Sequence, residues 1–390
     1  MTKKHPYLRD KLSIEQRAKF QRGTDVGILA HQYFPGGLNM SPNSPTQFPK
    51  KVVETMQNLN NPMVNVMYEA VFQYNDTLVM VDLLVRDGEQ WRAIEVKSSL
   101  RLSPTYYNDA ALQYYVLHGC GVPLSDFQLM HLNPDYVKNG PIDVKELFQL
   151  VSVMDYAKEQ EHVIAANVER LKNVVALPHA PQVEIGPHCH EPYTCDFLGH
   201  CWKNVPKEKA DYTIDYKKLF AQAPDPKPRN IAYLNLLQYY PAVPELDGTK
   251  PYQEMILAYT LTGDQEPDGH SSWNCFEDHS RWQDCYKMLE ERFSHYDLIV
   301  CFSPSNPALG YKILNLYEVL QNAQLFHPNL KSGFNLQHVA EALFHDVKLF
   351  EHSRILVEAT AMELTGYQQA IEDLFTENEI VKRIYQQFFK

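Results

Sequence analysis

Hydrophobic and polar positions along the chain change period several times, and each change marks an element. Residues 14–34 read as a helix, with Ser13 placed to cap its first turn and Pro35-Gly36-Gly37 placed to stop it. A turn-rich stretch then runs to about Phe48. Residues 68–74 (YEAVFQY) predict a strand, Asn75-Asp76 a turn, and residues 78–86 (LVMVDLLVR) a nearly continuous apolar strand. Asp87-Gly88 is a hairpin signal, and residues 90–97 (QWRAIEVK) supply the returning strand. A helix over 106–118, a strand over 127–132 and a long helix over 143–172 complete the first half. The predicted order is helix, three antiparallel strands, helix, strand.

Residues 203–229 break this pattern. They are rich in lysine and proline, and Pro224, Pro226 and Pro228 favour extended backbone, so a linker is expected over 203–228. Beyond it, residues 229–390 read as α/β: IAYLNLL and HYDLIVCF are strand-like, and helices are expected near 281–294, 308–322 and 335–346. A length of 390 residues suits the two domains this implies, 1–202 and 229–390. Apolar runs stay short of the roughly 18 residues a membrane span needs, and the segment MTKKHPYLRDKLSIEQ has no apolar signal region. The expectation is a cytoplasmic protein with no membrane partner. A net charge of −12 argues against a surface coated in basic residues, so an acidic partner such as DNA must be met by local patches.

The candidate chemistry lies on the paired strands. Asp82 interrupts an apolar strand, where a carboxylate without a partner costs several kcal/mol if buried. Glu95 and Lys97 stand two apart, so the strand period puts them on one face. The Asp87-Gly88 hairpin can bring Asp82 and Glu95 to one sheet edge with Lys97 beside them. Two such carboxylates repel unless a cation lies between them. A hard divalent ion, Mg²⁺ or Mn²⁺, takes oxygen ligands, polarises a phosphate and lowers the pKa of water. A neighbouring lysine can orient that water or stabilise charge on the phosphate. The chemistry this suits is phosphodiester hydrolysis.

Asp82 followed one hairpin later by Glu95-Val96-Lys97 resembles the PD-(D/E)XK signature, and the element order resembles that superfamily's core. Further positions resemble the RecB-like branch, which includes CRISPR-associated nucleases. The resemblance implies that His31, in RGTDVGILAHQYFPGG, joins Asp82 and Glu95 as a metal ligand. It implies site roles for Glu69, at the start of the first strand, and for Gln113, in DAALQYYVL. The tyrosine expected a helical turn after Gln113 is replaced by Leu117, with Tyr114 or Tyr115 as stand-ins.

Residues 186–202 carry Cys189, Cys195 and Cys201, spaced C-x5-C-x5-C among His188, His190 and His200. Three close thiols in a reducing compartment suggest a metal site, whereas Cys120, Cys275, Cys285 and Cys301 stand alone and read as small apolar residues. The cluster is similar to the later cysteines of RecB-like nucleases that hold a [4Fe–4S] cluster, although no cysteine precedes Cys120. A [4Fe–4S] cluster, Zn²⁺ and a metal-free structural motif all stay open. In each case the motif is expected to tie the end of the long helix to the nuclease core.

The whole chain resembles a bacterial family in which a RecB-like nuclease is fused to a DnaQ-like exonuclease domain; PAVPELDGTKPYQ and NLQHVAEAL are the later markers. The implied fold class is α/β: a PD-(D/E)XK restriction-endonuclease-like core followed by an RNase H-like α/β domain. That exonuclease type requires an aspartate and a glutamate on its first strand, where this chain has Asn235 and Leu237; the later acidic position falls near CFSPSNPALG. The second half is therefore expected to be catalytically inert, serving structure, DNA guidance or a protein partner. The function expected is a metal-dependent deoxyribonuclease in repair or anti-phage defence. The alternative is a non-catalytic nucleic-acid-binding or assembly module, and RNA as substrate ranks last because no aromatic RNA-recognition motif is present.

Overall fold

The computed structural model describes residues 5–12, 14–181, 183–184, 187–189, 193, 195–202, 212–303, 312–327, 330, 334–344 and 364–389. The chain forms two compact units, each drawn from separated stretches of sequence. The first contains Gln16–Thr194 and Pro241–Gln253; the second contains Thr2–Glu15, Cys195–Tyr240 and Glu254–Lys390.

The first unit opens with α1 (Ile14–Ala30), a short 3-10 turn at His31–Tyr33, β1 (Leu38–Asn39) and α2 (Phe48–Leu59). Then follow β2 (Val66–Tyr74), β3 (Thr77–Asp87), β4 (Gln90–Lys97), α3 (Pro104–Gly119), β5 (Leu124–Leu132), α4 (Val144–Leu147), β6 (Phe148–Ser152) and α5 (Met154–Ala176). The strands form one sheet in the order β1-β2-β3-β4-β5-β6. β1 runs parallel to β2, β2–β3 and β3–β4 pair antiparallel, and β5 runs parallel to β4 after the α3 crossover. Asn75 and Asp76 both adopt left-handed φ (49° and 60°), which a two-residue hairpin of this twist requires.

The predicted helix over 143–172 is in fact α4, β6 and α5. β6 pairs antiparallel with β5, from Gln128↔Ser152 to Leu132↔Phe148. That tertiary pairing gives the β5 edge its hydrogen bonds and overrides a local reading of FQLVS as helix. The predicted helix over 14–34 gives way to 3-10 structure from His31. α2 lies beyond the predicted turn-rich stretch, with Pro49 in its first turn, where a missing N–H costs nothing.

Alternation sorts the strand residues between two cores. Met67, Ala70, Phe72, Val79, Val81, Leu84 and Ala93 pack with α3 and α5. Tyr68, Leu83, Ile94 and Met130 pack on the opposite face with Val26 and Ala30 of α1 and with Ala242. The phase of alternation slips at two places. In β2, Met67 and Ala70 share a face across Glu69; in β3, Val81 and Leu84 share that face across Asp82.

The second unit comprises α6 (Leu198–Trp202), α7 (Tyr216–Phe220), β7 (Ile231–Tyr239), β8 (Met255–Gly263), β9 (His270–Asn274), α8 (Trp282–Phe293), β10 (Leu298–Cys301), β11 (Ile313–Asn315), α9 (Leu316–Asn322), α10 (Leu336–Leu343) and α11 (Leu364–Phe389). Its sheet has the order β11-β10-β7-β8-β9. β7, β8 and β9 are antiparallel, while β10 and β11 run parallel to β7. β8 is buried along nearly its whole length, so it has no amphipathic alternation to announce it. α7 occupies part of the predicted linker. Residues 203–211 and 304–311, the start of the linker and most of CFSPSNPALG, lie outside the described residues. Among the described residues no helix is long and apolar enough to cross a membrane.

Candidate active site

The site begins where two β-ladders lapse. In the β2–β3 ladder Tyr68 pairs with Leu83 and Ala70 with Val81, and no pair forms between Glu69 and Asp82. Glu69 has a φ of 54°, a left-handed backbone uncommon for a residue with a Cβ. The β3–β4 ladder starts at Asp87↔Gln90 and ends at Leu83↔Ile94, just short of Asp82 and Glu95. Freed from a backbone partner there, the Val96 N–H donates to Asp82 Oδ2 at 2.6 Å. The broken alternation of VMVDLLV is thus a phase slip, and it delivers Asp82 to the α3 side of the sheet.

Glu95 and Lys97 share that side, as their spacing predicts. Lys97 Nζ donates to Glu95 Oε1 at 3.0 Å and to Asp109 Oδ2 at 3.0 Å. It also lies 5.1 Å from the centre of the Tyr106 ring. Gln113 Nε2 donates to Glu95 Oε2 at 2.7 Å. Gln113 is 8% exposed, and its Oε1 is buried without a hydrogen-bond partner. Asp109 and Tyr106 are site neighbours that sequence reasoning missed. Their signal was available: Tyr106, Asp109 and Gln113 fall three and four apart, on one helix face.

The electrostatics follow from crowding. Burial pushes the Asp82 carboxyl well above the ordinary carboxylate range; Glu95 and Glu69 push it further, against the Val96 N–H and Lys97. Burial, then Glu95, raises Glu69. Burial alone would lower Lys97, but Glu95 and Asp109 outweigh it and hold the ammonium above its usual value. Lys97 is therefore a fixed cation and hydrogen-bond donor.

His31 packs against β2 through Tyr68, which faces the α1-side core. Its ring stacks on Tyr68, centroids 3.9 Å apart and planes 3° from parallel, next in sequence to Glu69. Burial lowers its pKa and favours the neutral imidazole. The Tyr68 hydroxyl fixes the turn below, donating to Phe34 O at 2.6 Å and accepting from Gly37 N at 3.0 Å. Tyr114 and Tyr115, the expected stand-ins at the helix motif, go elsewhere. Tyr115 Oη accepts from Asn75 Nδ2 at 2.9 Å, and Tyr114 stacks on His118 at 5.5 Å.

The donor set of Glu69, Asp82, Glu95 and the free amide oxygen of Gln113 is all oxygen, the kind a hard divalent cation takes. Asp82 and Glu69 each feel the charge of Glu95, and the Lys97 ammonium beside Glu95 is shared with Asp109. That imbalance and the orphaned Gln113 oxygen fit a cation. Among the described residues, however, no group of three or more His, Cys, Asp or Glu side chains is arranged to hold a metal ion as it stands. Glu95 and Asp82 are turned to Lys97, Gln113 and the Val96 N–H instead.

Cys189 ends a short 3-10 turn (Pro187–Cys189), and Cys201 lies in α6. Cys189 is half-buried, while Cys195 and Cys201 are exposed. The two exposed cysteines belong to the second unit and Cys189 to the first, so the compact units divide the predicted 186–202 motif. Described contacts near Cys195 and Cys201 run to the chain's start: Arg9 pairs with Asp196 at 2.7 Å, and Gly199 N donates to Asp10 Oδ2 at 2.8 Å. Residues 186, 190–192 and 194 of the motif lie outside the described residues.

In the second unit, Asn235 lies on the central strand β7 and donates its amide to Glu377 and, at 3.4 Å, to Leu374 O, both on α11. Leu237 is buried. No family model matches the chain, and no curated protein matches it.

Proposed function

We propose that the first unit is a divalent-metal-dependent phosphodiesterase of the PD-(D/E)XK kind acting on DNA. The observation that carries this reading is the meeting of Asp82, Glu69 and Glu95 at a break in two β-ladders, with Lys97 alongside. Non-glycine backbone in the left-handed region persists where the surroundings hold it, and such strain concentrates at functional sites. The β2–β3–β4 meander, the α3 crossover and the parallel β5 support a restriction-endonuclease-like core.

Asp82, Glu95, Glu69 and Gln113 Oε1 would hold Mg²⁺ or Mn²⁺, with His31 at the margin. A divalent ion there supplies polarisation of the phosphate and a lowered water pKa. Lys97 acts as a donor: its Nζ–H groups orient the attacking water or meet the charge that builds on the phosphate oxygens. Asp109 keeps that ammonium aimed, and Gln113 fixes the Glu95 carboxylate. Linear duplex and single-stranded DNA with Mg²⁺ or Mn²⁺ are the substrates to test. Asp82→Ala and Lys97→Ala should each abolish cleavage; cleavage that survives both together places the chemistry elsewhere.

A second reading, a nucleic-acid-binding module that does not turn over, draws on the commitment of Glu95 to Lys97 and Gln113. DNA binding without cleavage under either metal favours it. For the second unit, the strand order and mixed directions support an RNase H-like domain. The closure of Asn235 onto Glu377 supports an inert one, left to structure, DNA guidance or partner binding.

A further inference from the structure

The sequence 241–253 joins β7 to β8 of the second unit, yet it belongs to the first. It is pinned there at several points. Ala242 is buried in the core that contains Tyr68, Leu83 and Ile94, and Val243 and Tyr252 pack against the same core. Lys138 N donates to Thr249 O at 3.0 Å, and Gly248 N donates to Lys138 O at 2.8 Å. Asp247 accepts from Lys138 Nζ and from Gly140 N. Tyr252 N donates to Pro241 O at 2.8 Å, which closes the segment on itself.

Tyr252 is its contact with the residue that follows the end of β4. Its hydroxyl donates to Ser98 O at 2.6 Å and lies 3.2 Å from Ser98 Oγ. Its φ is 55°, a left-handed backbone that a tyrosine keeps only where its surroundings hold it. Ser98 directly follows Lys97, the last residue of β4, whose pairing with β5 ends at Lys97↔His131. Past that point the chain turns, with Ser99 N donating to Lys97 O and Leu132 N to Ser99 O. The Ser98 carbonyl lies inside this turn, and a side chain that holds it holds the strand end from which Lys97 projects.

We propose that Pro241–Gln253 is a working part of the catalytic unit and that Tyr252, through Ser98, is a positioning residue for Lys97. The proposal rests on the nuclease reading above. Tyr252 does not touch the reacting groups. It restrains the backbone that aims the ammonium, and small misplacement of such a group costs rate rather than binding.

The test is Tyr252→Phe in the full chain, which keeps the ring and removes the hydroxyl. Steady-state cleavage of linear duplex DNA with Mn²⁺ should show kcat reduced roughly tenfold with KM little changed. Backbone hydrogen exchange, read by mass spectrometry without DNA or metal, should quicken over residues 95–102 and stay unchanged in α5. A raised KM with kcat intact, or wild-type kcat, overturns the positioning role. Wild-type protein that does not cleave DNA overturns the nuclease reading and, with it, the catalytic part of this proposal. The exchange measurement still stands in that case, and unchanged exchange in Tyr252→Phe overturns the backbone restraint on its own.

Discussion

Glu69 and Asp82 stand opposite one another at an unmade pair in the β2–β3 ladder, and each lies where its strand changes which residues face the core. Their crowding has a stability cost in protein stripped of divalent metal. Both carboxyls have raised pKa values, through burial first and neighbouring carboxylates second. The folded state therefore binds these protons more tightly than the unfolded chain does. The contribution of this pair to stability is greatest below the ordinary carboxylate range and falls as pH rises from the unfolded values through the folded ones. Asp82→Asn keeps an oxygen for the Val96 N–H and removes the charge. With chelator present at pH ~7, it should stabilise the protein by on the order of 1 kcal/mol, a Tm rise of roughly 2–4 °C for a unit of this size. The gain should shrink as pH falls toward about 4. Differential scanning calorimetry across pH checks the sign; a lower Tm in Asp82→Asn at neutral pH would falsify the account of the cluster.

The same crowding should make the wild type responsive to metal. Ligand that binds only the folded state stabilises it by about 2.7 kcal/mol at 100 times its Kd. Mn²⁺ should raise the Tm of the wild type and leave Asp82→Asn nearly unmoved, so that the order of stability reverses between chelator and saturating metal. Equal shifts in the two proteins would mean that Mn²⁺ binds somewhere else.

Asp109 offers a finer test, because it touches Lys97 at 3.0 Å but is placed in no metal-holding role. Asp109→Asn leaves a hydrogen-bond acceptor and removes the charge. Lys97 should be aimed less firmly, with cleavage slowed about tenfold and Mn²⁺ affinity by calorimetric titration unchanged. Loss of metal affinity in this variant would move Asp109 into the ligand set.

The sequence carried the chemistry of this site better than its geometry. Asp82 in an apolar strand, the two-residue spacing of Glu95 and Lys97 and the Asp87-Gly88 turn are local features, and β4 runs over the predicted residues. The left-handed φ of Glu69 is a property of two strands at once, so no single segment announces it. β6 is short and flanked by helices, and only its pairing with β5 makes it a strand. Tyr252 meets Ser98 across 154 residues, a separation that no local period encodes. The marker PAVPELDGTKPYQ was visible as a motif, while its place in the first unit depends on contacts with Lys138 and the α1-side core. The family motif covers Gln113 and does not cover Asp109, a turn earlier on the same helix face.

Asn235 supplies a test of the second unit that is independent of DNA cleavage. Its amide donates to Glu377 and to Leu374 O, joining the central strand to α11. Asn235→Asp would replace that donor with a second carboxylate facing Glu377. The lost hydrogen bonds and the like-charge contact should together destabilise the second unit by about 2–4 kcal/mol near neutral pH. One carboxyl of the new pair must then take a proton at a raised pKa, so the penalty should fade as the pH drops through roughly 5. Asn235→Ala, which removes the donor without adding charge, should show a smaller loss with little pH dependence. Urea unfolding of the full chain at pH ~7 and ~5, followed by tryptophan fluorescence, separates the two variants. A pH-independent loss in Asn235→Asp would show that Glu377 is free to turn away, and that the contact closing β7 onto α11 is not an obligatory part of this fold.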